Sequence, residues 1–118
     1  MEFSQSIGLE LLEQADGHAR VRLTLKEEHM NSSLIAHGGV LMSMADLAMG
    51  AAAHSLGPSV VTMDLQYRFF KPAMVGECVI ADGMVVRFGR HIVVTEGTLH
   101  VGDRLIGHAT GQFYYEAP

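Results

Sequence analysis

The chain has no tryptophan, one cysteine, and only eight Lys and Arg against thirteen Asp and Glu. Each shortage closes off a class of protein. A lone cysteine, Cys78, can form neither an internal disulfide nor a cysteine-based zinc cluster, which excludes a disulfide scaffold. It sits in the apolar run Cys78-Val79-Ile80-Ala81, so a buried, inert thiol and a reducing compartment such as the cytoplasm are expected. A formal net charge of −5 leaves no basic face for a nucleic-acid backbone, although a few local cations can still hold a nucleotide-bearing ligand. The longest apolar stretch, residues 40–53, is broken by Ser43 and Asp46 and is too short to span a bilayer. Glu2 stands where a secretory leader would place basic residues. A soluble protein with no membrane partner is therefore expected. The eight methionines, set against the missing tryptophan, predict an adaptable core without large aromatic anchors.

What is present suffices for one domain spanning residues 1–118. Hydrophobic residues make up 48% and charged residues 18%, too apolar for a disordered chain. There is no internal repeat and no linker-like shift in composition. Residues 7–14 end at the turn signal Asp16-Gly17. Residues 18–26 then alternate, with Ala19, Val21, Leu23 and Leu25 on one face, which predicts a half-buried strand and a hairpin. A polar loop over 27–36 leads to His37-Gly38-Gly39. The following run to His54 is rich in Leu, Met and Ala, all good helix formers, and is apolar on nearly every side. That predicts a helix buried in the core, closed by Gly57-Pro58. Residues 60–70, 77–88, 91–101 and 104–115 return to a two-residue period and predict four more strands. An α+β fold follows, with a long antiparallel sheet wrapped around one central buried helix.

Asp46 is the only charged residue between Met30 and Asp64. It falls in mid-helix, where Asp has poor propensity and an ionised carboxylate is costly to bury. No Lys or Arg lies within four residues to form a helical ion pair. A structural Asp satisfied by backbone donors would fit this much equally well. The two glycines at the helix start allow a ligand to approach the backbone closely. The free N–H groups of a helix N-terminus there suit a developing oxyanion. A plain loop-to-helix turn would also use them. Asn31 can cap, form a local turn, or polarise a substrate. Strand alternation predicts Thr62 and Asp64 on one face, opposite Met63 and Leu65, either toward the same cleft or as a solvent-facing stripe. The seven histidines have no metal-ligand spacing, so no metal site is expected.

The stretch from Asn31 through His37-Gly38-Gly39 to Asp46 resembles the phenylacetate-pathway (PaaI-like) acyl-CoA thioesterases of the hotdog superfamily. The resemblance continues through Val61-Thr62-Met63-Asp64-Leu65, Phe70-Lys71-Pro72-Ala73, Gly76-Glu77 and Arg87-Phe88-Gly89-Arg90. It implies the hotdog fold, hydrolysis of an aryl- or medium-chain acyl-CoA, and a dimer with sites at its interface, often doubled to a homotetramer. It also implies roles. Asp46 would be nucleophile or general base; the Gly38 N–H, with Asn31 nearby, would polarise the thioester carbonyl; His37 and Gly39 would shape that corner. Thr62 would hold the attacking water. Arg87, Gly89 and Arg90, with Asp64 and His91 as further candidates, would contact CoA. CoA belongs to the substrate, and no separate cofactor is implied.

Two other readings fit parts of the pattern. His37 with Asp46 could imitate a hotdog hydratase or dehydratase, which moves a proton between a histidine and an acid. A hotdog dimer could also bind acyl-CoA without turning it over, with Met42, Met44 and Met49 lining the pocket.

Overall fold

The computed structural model describes residues 2–116. A short helix α1 (Phe3–Ser6) precedes strands β1 (Glu10–Ala15) and β2 (His18–Thr24). A single 3-10 turn at Glu27–His29 leads to the long helix α2 (Gly38–His54). Four strands follow: β3 (Val61–Phe69), β4 (Cys78–Phe88), β5 (Ile92–Val101) and β6 (Arg104–Tyr114). The strands form one antiparallel sheet in the order β1-β2-β4-β5-β6-β3. Helix α2 is the crossover that carries the chain from β2 to the far edge, as the hotdog fold requires. The β1–β2 hairpin closes with Asp16 at φ 53° and Gly17 at φ 82°. Two consecutive positive φ values make the type I′ turn, whose twist matches the flanking strands.

Cross-strand register explains how the helix seats. Ala19, Gly83, Gly97 and Ala109 lie side by side across β2, β4, β5 and β6, a floor of small residues under α2. A Cβ on Gly83 would collide with the Ala48 carbonyl oxygen, and one on Gly97 would meet the Met49 side chain at 3.3 Å. The missing side chains let the helix backbone rest on the sheet backbone. Leu41, Met44, Ala45, Ala48, Met49, Ala52 and Ala53 are buried there, against Val21, Leu23, Val79, Val93, Leu99 and Phe113.

The long antiparallel sheet wrapped around one central helix is as expected. Only one face of α2 is covered by the sheet. Met42, Ser43, Asp46, Leu47, Gly50 and Ala51 on the other face are half-buried, and Gly39 and His54 are exposed. A sheet of this size can wrap one side of a helix, and it leaves the other side of α2 open. The expectation of a buried Cys78 thiol is corrected, for Cys78 is exposed. Alternation along β4 turns Val79 and Ala81 inward, and their neighbour outward.

Candidate active site

The loop before α2 is held by its own side chains. The Asn31 carboxamide oxygen accepts from the Ser33 N–H at 2.8 Å and the Ile35 N–H at 3.3 Å. This is the local turn that the type of residue allows. The backbone N–H of Ala36 donates to Ala73 O and that of His37 to His29 O, both at 2.8 Å. His29 is itself buried, accepting from the Lys26 N–H on Nδ1 and pairing with the Ile7 carbonyl through Nε2. The entry to the helix is therefore pinned from three directions.

His37 is the N-cap, and its Nδ1 accepts from the Gly39 N–H at 2.9 Å. That bond places the proton of the neutral ring on Nε2. Gly38 is the first helical residue, and its N–H donates to nothing among the described residues. This free donor lies at the positive end of a 17-residue helix. It opens on a cleft of about 490 Å³ lined by Asn31, Ile35, Gly38, Leu41, Phe69 and Lys71 among others. The Phe69 ring lies beside Gly38, where a Cβ would come within 3.2 Å of it. Phe69 packs in turn on Tyr67, with ring centroids 4.4 Å apart. The Tyr67 hydroxyl is buried without a hydrogen-bond partner among the described residues, and burial pushes its pKa up to about 12.

Asp46 sits two turns further along the open face of α2. The Thr62 hydroxyl donates to its Oδ1 at 2.6 Å, in the range of a charge-assisted O–H···O⁻ bond. Its other oxygen, Oδ2, takes no donor among the described residues. Asp46 and Thr62 line a second cleft, of about 440 Å³, with Leu11 and Gln14 from β1, Gly50 and His54 from α2, and Phe113 from β6. The contributions from β1 carried no signal in the sequence, because a short exposed strand gives no hint of what it covers.

Thr62 and Asp64 do not share a face. Thr62 pairs with Phe113, but Asp64 pairs with Gln112, and Met63 is left as a β-bulge between them. Directly paired residues point the same way, so Thr62 turns inward with buried Phe113 and Asp64 turns to the outer face. The inserted residue flips the phase of the strand. Leu65 and Tyr67 then pack against the core.

The β4–β5 turn carries the remaining candidates. Arg87 and Arg90 are exposed and form no ion pair among the described residues. The backbone of Gly89 is engaged on both sides. Its N–H donates to Ile92 O at 2.9 Å, and its carbonyl accepts from the Tyr115 hydroxyl at 2.7 Å. A side chain there would strike Ile92 O, at 2.6 Å from its Cβ, so glycine is what this tight turn demands. His91 is exposed and stacks on Tyr114, with centroids 6.2 Å apart. Among the described residues, no group of three or more His, Cys, Asp or Glu is placed to hold a metal ion. No helix among them is long and apolar enough to cross a membrane.

Comparison with known proteins agrees with this geometry. Residues 35–108 match the family model of the thioesterase superfamily. The chain is 34% identical over 105 residues to the "Putative esterase" of Archaeoglobus fulgidus, covering 88% of this chain and 68% of that one. It is 28% identical over 87 residues to the acyl-coenzyme A thioesterase PaaI of Escherichia coli, covering 74% of this chain and 62% of the relative. A solved structure of a variant of the phenylacetic acid degradation protein PaaI from Thermus thermophilus superposes with a TM-score of 0.92 at 27% identity, covering 97% of this chain and 98% of that one. With the hotdog sheet, the capped glycine entry and the carboxylate on the open helix face in place, the chain belongs to the thioesterase superfamily as a PaaI-like thioester hydrolase.

Proposed function

We propose that the chain hydrolyses acyl-CoA thioesters at a site assembled from two copies, with Asp46 of one and the Gly38 N–H of the other facing the same carbonyl. The observation that carries this reading is the Asp46 carboxylate, held by the Thr62 hydroxyl at 2.6 Å, on the same uncovered helix face as the entry with the free N–H. Eight residues separate Gly38 from Asp46, about 12 Å along the axis at ~1.5 Å per residue. A thioester carbonyl spans only about 1.2 Å between carbon and oxygen, so one chain cannot reach both atoms with these two groups. Antiparallel packing of two such faces would bring each carboxylate to the other's helix entry. Strand β3 supports that arrangement. It forms one edge of the sheet, and its Val61, Met63 and Phe69 are exposed, an edge that calls for a partner.

Asp46 can act in two ways from this position. It can attack the thioester carbon, giving a tetrahedral oxyanion that collapses to a mixed anhydride with loss of the CoA thiolate, after which water releases the acid. It can instead take a proton from water as that water attacks. Both routes build negative charge on the carbonyl oxygen, where the partner subunit's Gly38 N–H would receive it. Thr62 fixes the carboxylate oxygen that does not react. Arg87 and Arg90 are the cations suited to the CoA phosphates. His37 Nδ1 is occupied as the helix cap, so the hydratase reading would have only Nε2 of that ring for proton transfer.

The test is release of free thiol from a panel of aryl, short- and medium-chain acyl-CoAs. Wild type should be active, and Asp46→Ala and Gly38→Pro each close to inactive. Co-refolding the two inactive variants should restore part of the activity, because each mixed dimer regains one intact site. No recovery in dimers shown to be mixed would remove the shared-site arrangement. Full activity of Asp46→Ala would remove the carboxylate's role.

A further inference from the structure

Among the described residues His29 is the one buried side chain able to titrate, at 4% exposure, and the chemistry above makes no use of it. Its ring bonds to backbone on both sides. The Lys26 N–H donates to Nδ1 at 2.9 Å, and Nε2 lies 2.9 Å from Ile7 O. A carbonyl only accepts, so Nε2 carries the proton. The two bonds together hold the neutral ring in one tautomer and one orientation. Ile7 is the C-cap of α1, a four-residue helix with no buried residue, and its carbonyl is one of those that a helix end leaves open. The backbone of His29 completes the bracket. Its N–H donates to Lys26 O at 3.0 Å, and its carbonyl accepts from the His37 N–H at 2.8 Å. His37 in turn decides which amide at the entry to α2 stays free. Its ring takes the Gly39 N–H, and its carbonyl takes the Val40 N–H at 2.9 Å. The Gly38 N–H, between them in the chain, donates to nothing among the described residues.

We propose that His29 is a positioning residue for the reaction. Its locked ring fixes the His29 carbonyl, that carbonyl fixes His37, and His37 leaves the Gly38 N–H as the one amide facing the cleft. The proposal rests on the Gly38 N–H being the donor to the oxyanion. His29 does not line the cleft on which that N–H opens, so it acts only through His37. A slip of one residue at the cap would turn a different amide to the substrate. Small errors matter here, because an oxyanion donor acts by being preorganised, and a displacement of about 1 Å can cost about a hundredfold in rate. An apolar ring of the same size would fill the space that His29 fills. It would leave the Lys26 N–H and the Ile7 carbonyl unpaired, and the turn free to shift toward other partners.

The test is a double-mutant cycle read by thiol release from the best acyl-CoA of the panel, with rates taken per folded molecule. His29→Phe keeps the volume and removes both ring bonds. Its kcat should fall by about ten- to a hundredfold at nearly constant KM, because the donor acts on charge that develops in the transition state. His29→Asn keeps an acceptor near the position of Nδ1, and His29→Gln a donor near that of Nε2, so each should recover part of the loss. The same substitutions are then made in Gly38→Pro, which has no N–H left to position. There they should change the residual kcat by less than about twofold. A loss that repeats in full in both backgrounds would overturn the proposal and leave His29 a residue of the fold alone. Wild-type kcat in His29→Phe would overturn it too. Should His29→Phe not fold, the asparagine and glutamine variants carry the cycle by the same criterion. Full activity of Gly38→Pro with His29 intact, or an inactive wild type, would instead bring down the reading beneath the proposal, and the proposal with it.

Discussion

Replacing Gly38 with proline should separate chemistry from stability, because the two are expected to move in different directions. Gly38 is the first residue of α2, and its N–H has no acceptor among the described residues. Proline is well tolerated at that position because the donor it removes is one the helix does not use. The residue before a proline must be extended, and His37 already is, at φ −59° and ψ 135°. Folding stability should therefore hold or rise by about 0.4–1 kcal/mol through a stiffer unfolded chain. Catalysis should suffer. Loss of one oxyanion donor typically costs about 2.7–4 kcal/mol, roughly a hundredfold to a thousandfold in kcat. The added ring also brings a Cβ within 3.2 Å of Phe69, so Gly38→Ala serves as the control. Alanine adds the same carbon but keeps the N–H, and should lose no more than about tenfold. The assay is thiol release, with thermal melting in parallel. Equal activity of the alanine and proline variants, both folded, would refute the assignment of this N–H to the oxyanion.

Four further outcomes follow from particular contacts. Thr62→Val should lower kcat by about tenfold or more at nearly constant KM, since a hydrogen bond to a charged group is worth about 1.5–3 kcal/mol and water can replace part of it; Thr62→Ser should recover most of the loss, and an unchanged kcat in Thr62→Val would count against this orientation. Gly83→Ala should destabilise the fold by about 1–3 kcal/mol, because its Cβ meets the Ala48 backbone, which cannot swing aside; an unshifted melting temperature would show that the helix does not rest on this strand. Tyr67→Phe should be neutral or stabilising by about 1 kcal/mol in chemical denaturation, since it removes a buried hydroxyl that has no partner among the described residues, and a marked loss of stability would count against that reading. For Asp82, burial pushes the carboxyl up, but hydrogen bonds from Arg20 and His100 outweigh it and hold the folded value below the ordinary carboxylate value. A depressed folded value means the unfolded chain binds the proton more readily, so this stabilisation is present above about pH 4 and is lost as pH falls through the folded value; Asp82→Asn should flatten the acid limb of stability against pH, and an identical acid limb would refute the linkage.

The strands were legible because an antiparallel sheet with one buried face prints a two-residue period on the chain. Ala19, Val21, Leu23 and Leu25 alternate in the sequence and are all buried in the fold. The bulge at Met63 was not legible. An extra residue in one strand is defined by where its partner's hydrogen bonds fall, and β3 takes its register from β6, more than forty residues later. Asp64 therefore turned away from the face that alternation predicted it to share with Thr62. Cys78 failed for a simpler reason, since an apolar run does not state which of its members face inward. The glycines at 83 and 97 looked unremarkable along the chain and became a track only when register set them side by side beneath α2.

The site divides along the same line. Asp46 announced itself in the sequence as one charge in an apolar helix, and His37-Gly38-Gly39 as a helix entry that lets a ligand near the backbone. Those are local properties, carried by composition and the helical period. The fold alone decided that Asp46 lies on an uncovered face, that Thr62 reaches it, and that Gln14 and His54 meet at the end of the same cleft. Each of these joins residues from elements far apart in the chain. Such contacts depend on register, crossover and the packing of α2 on the sheet, which no local pattern encodes.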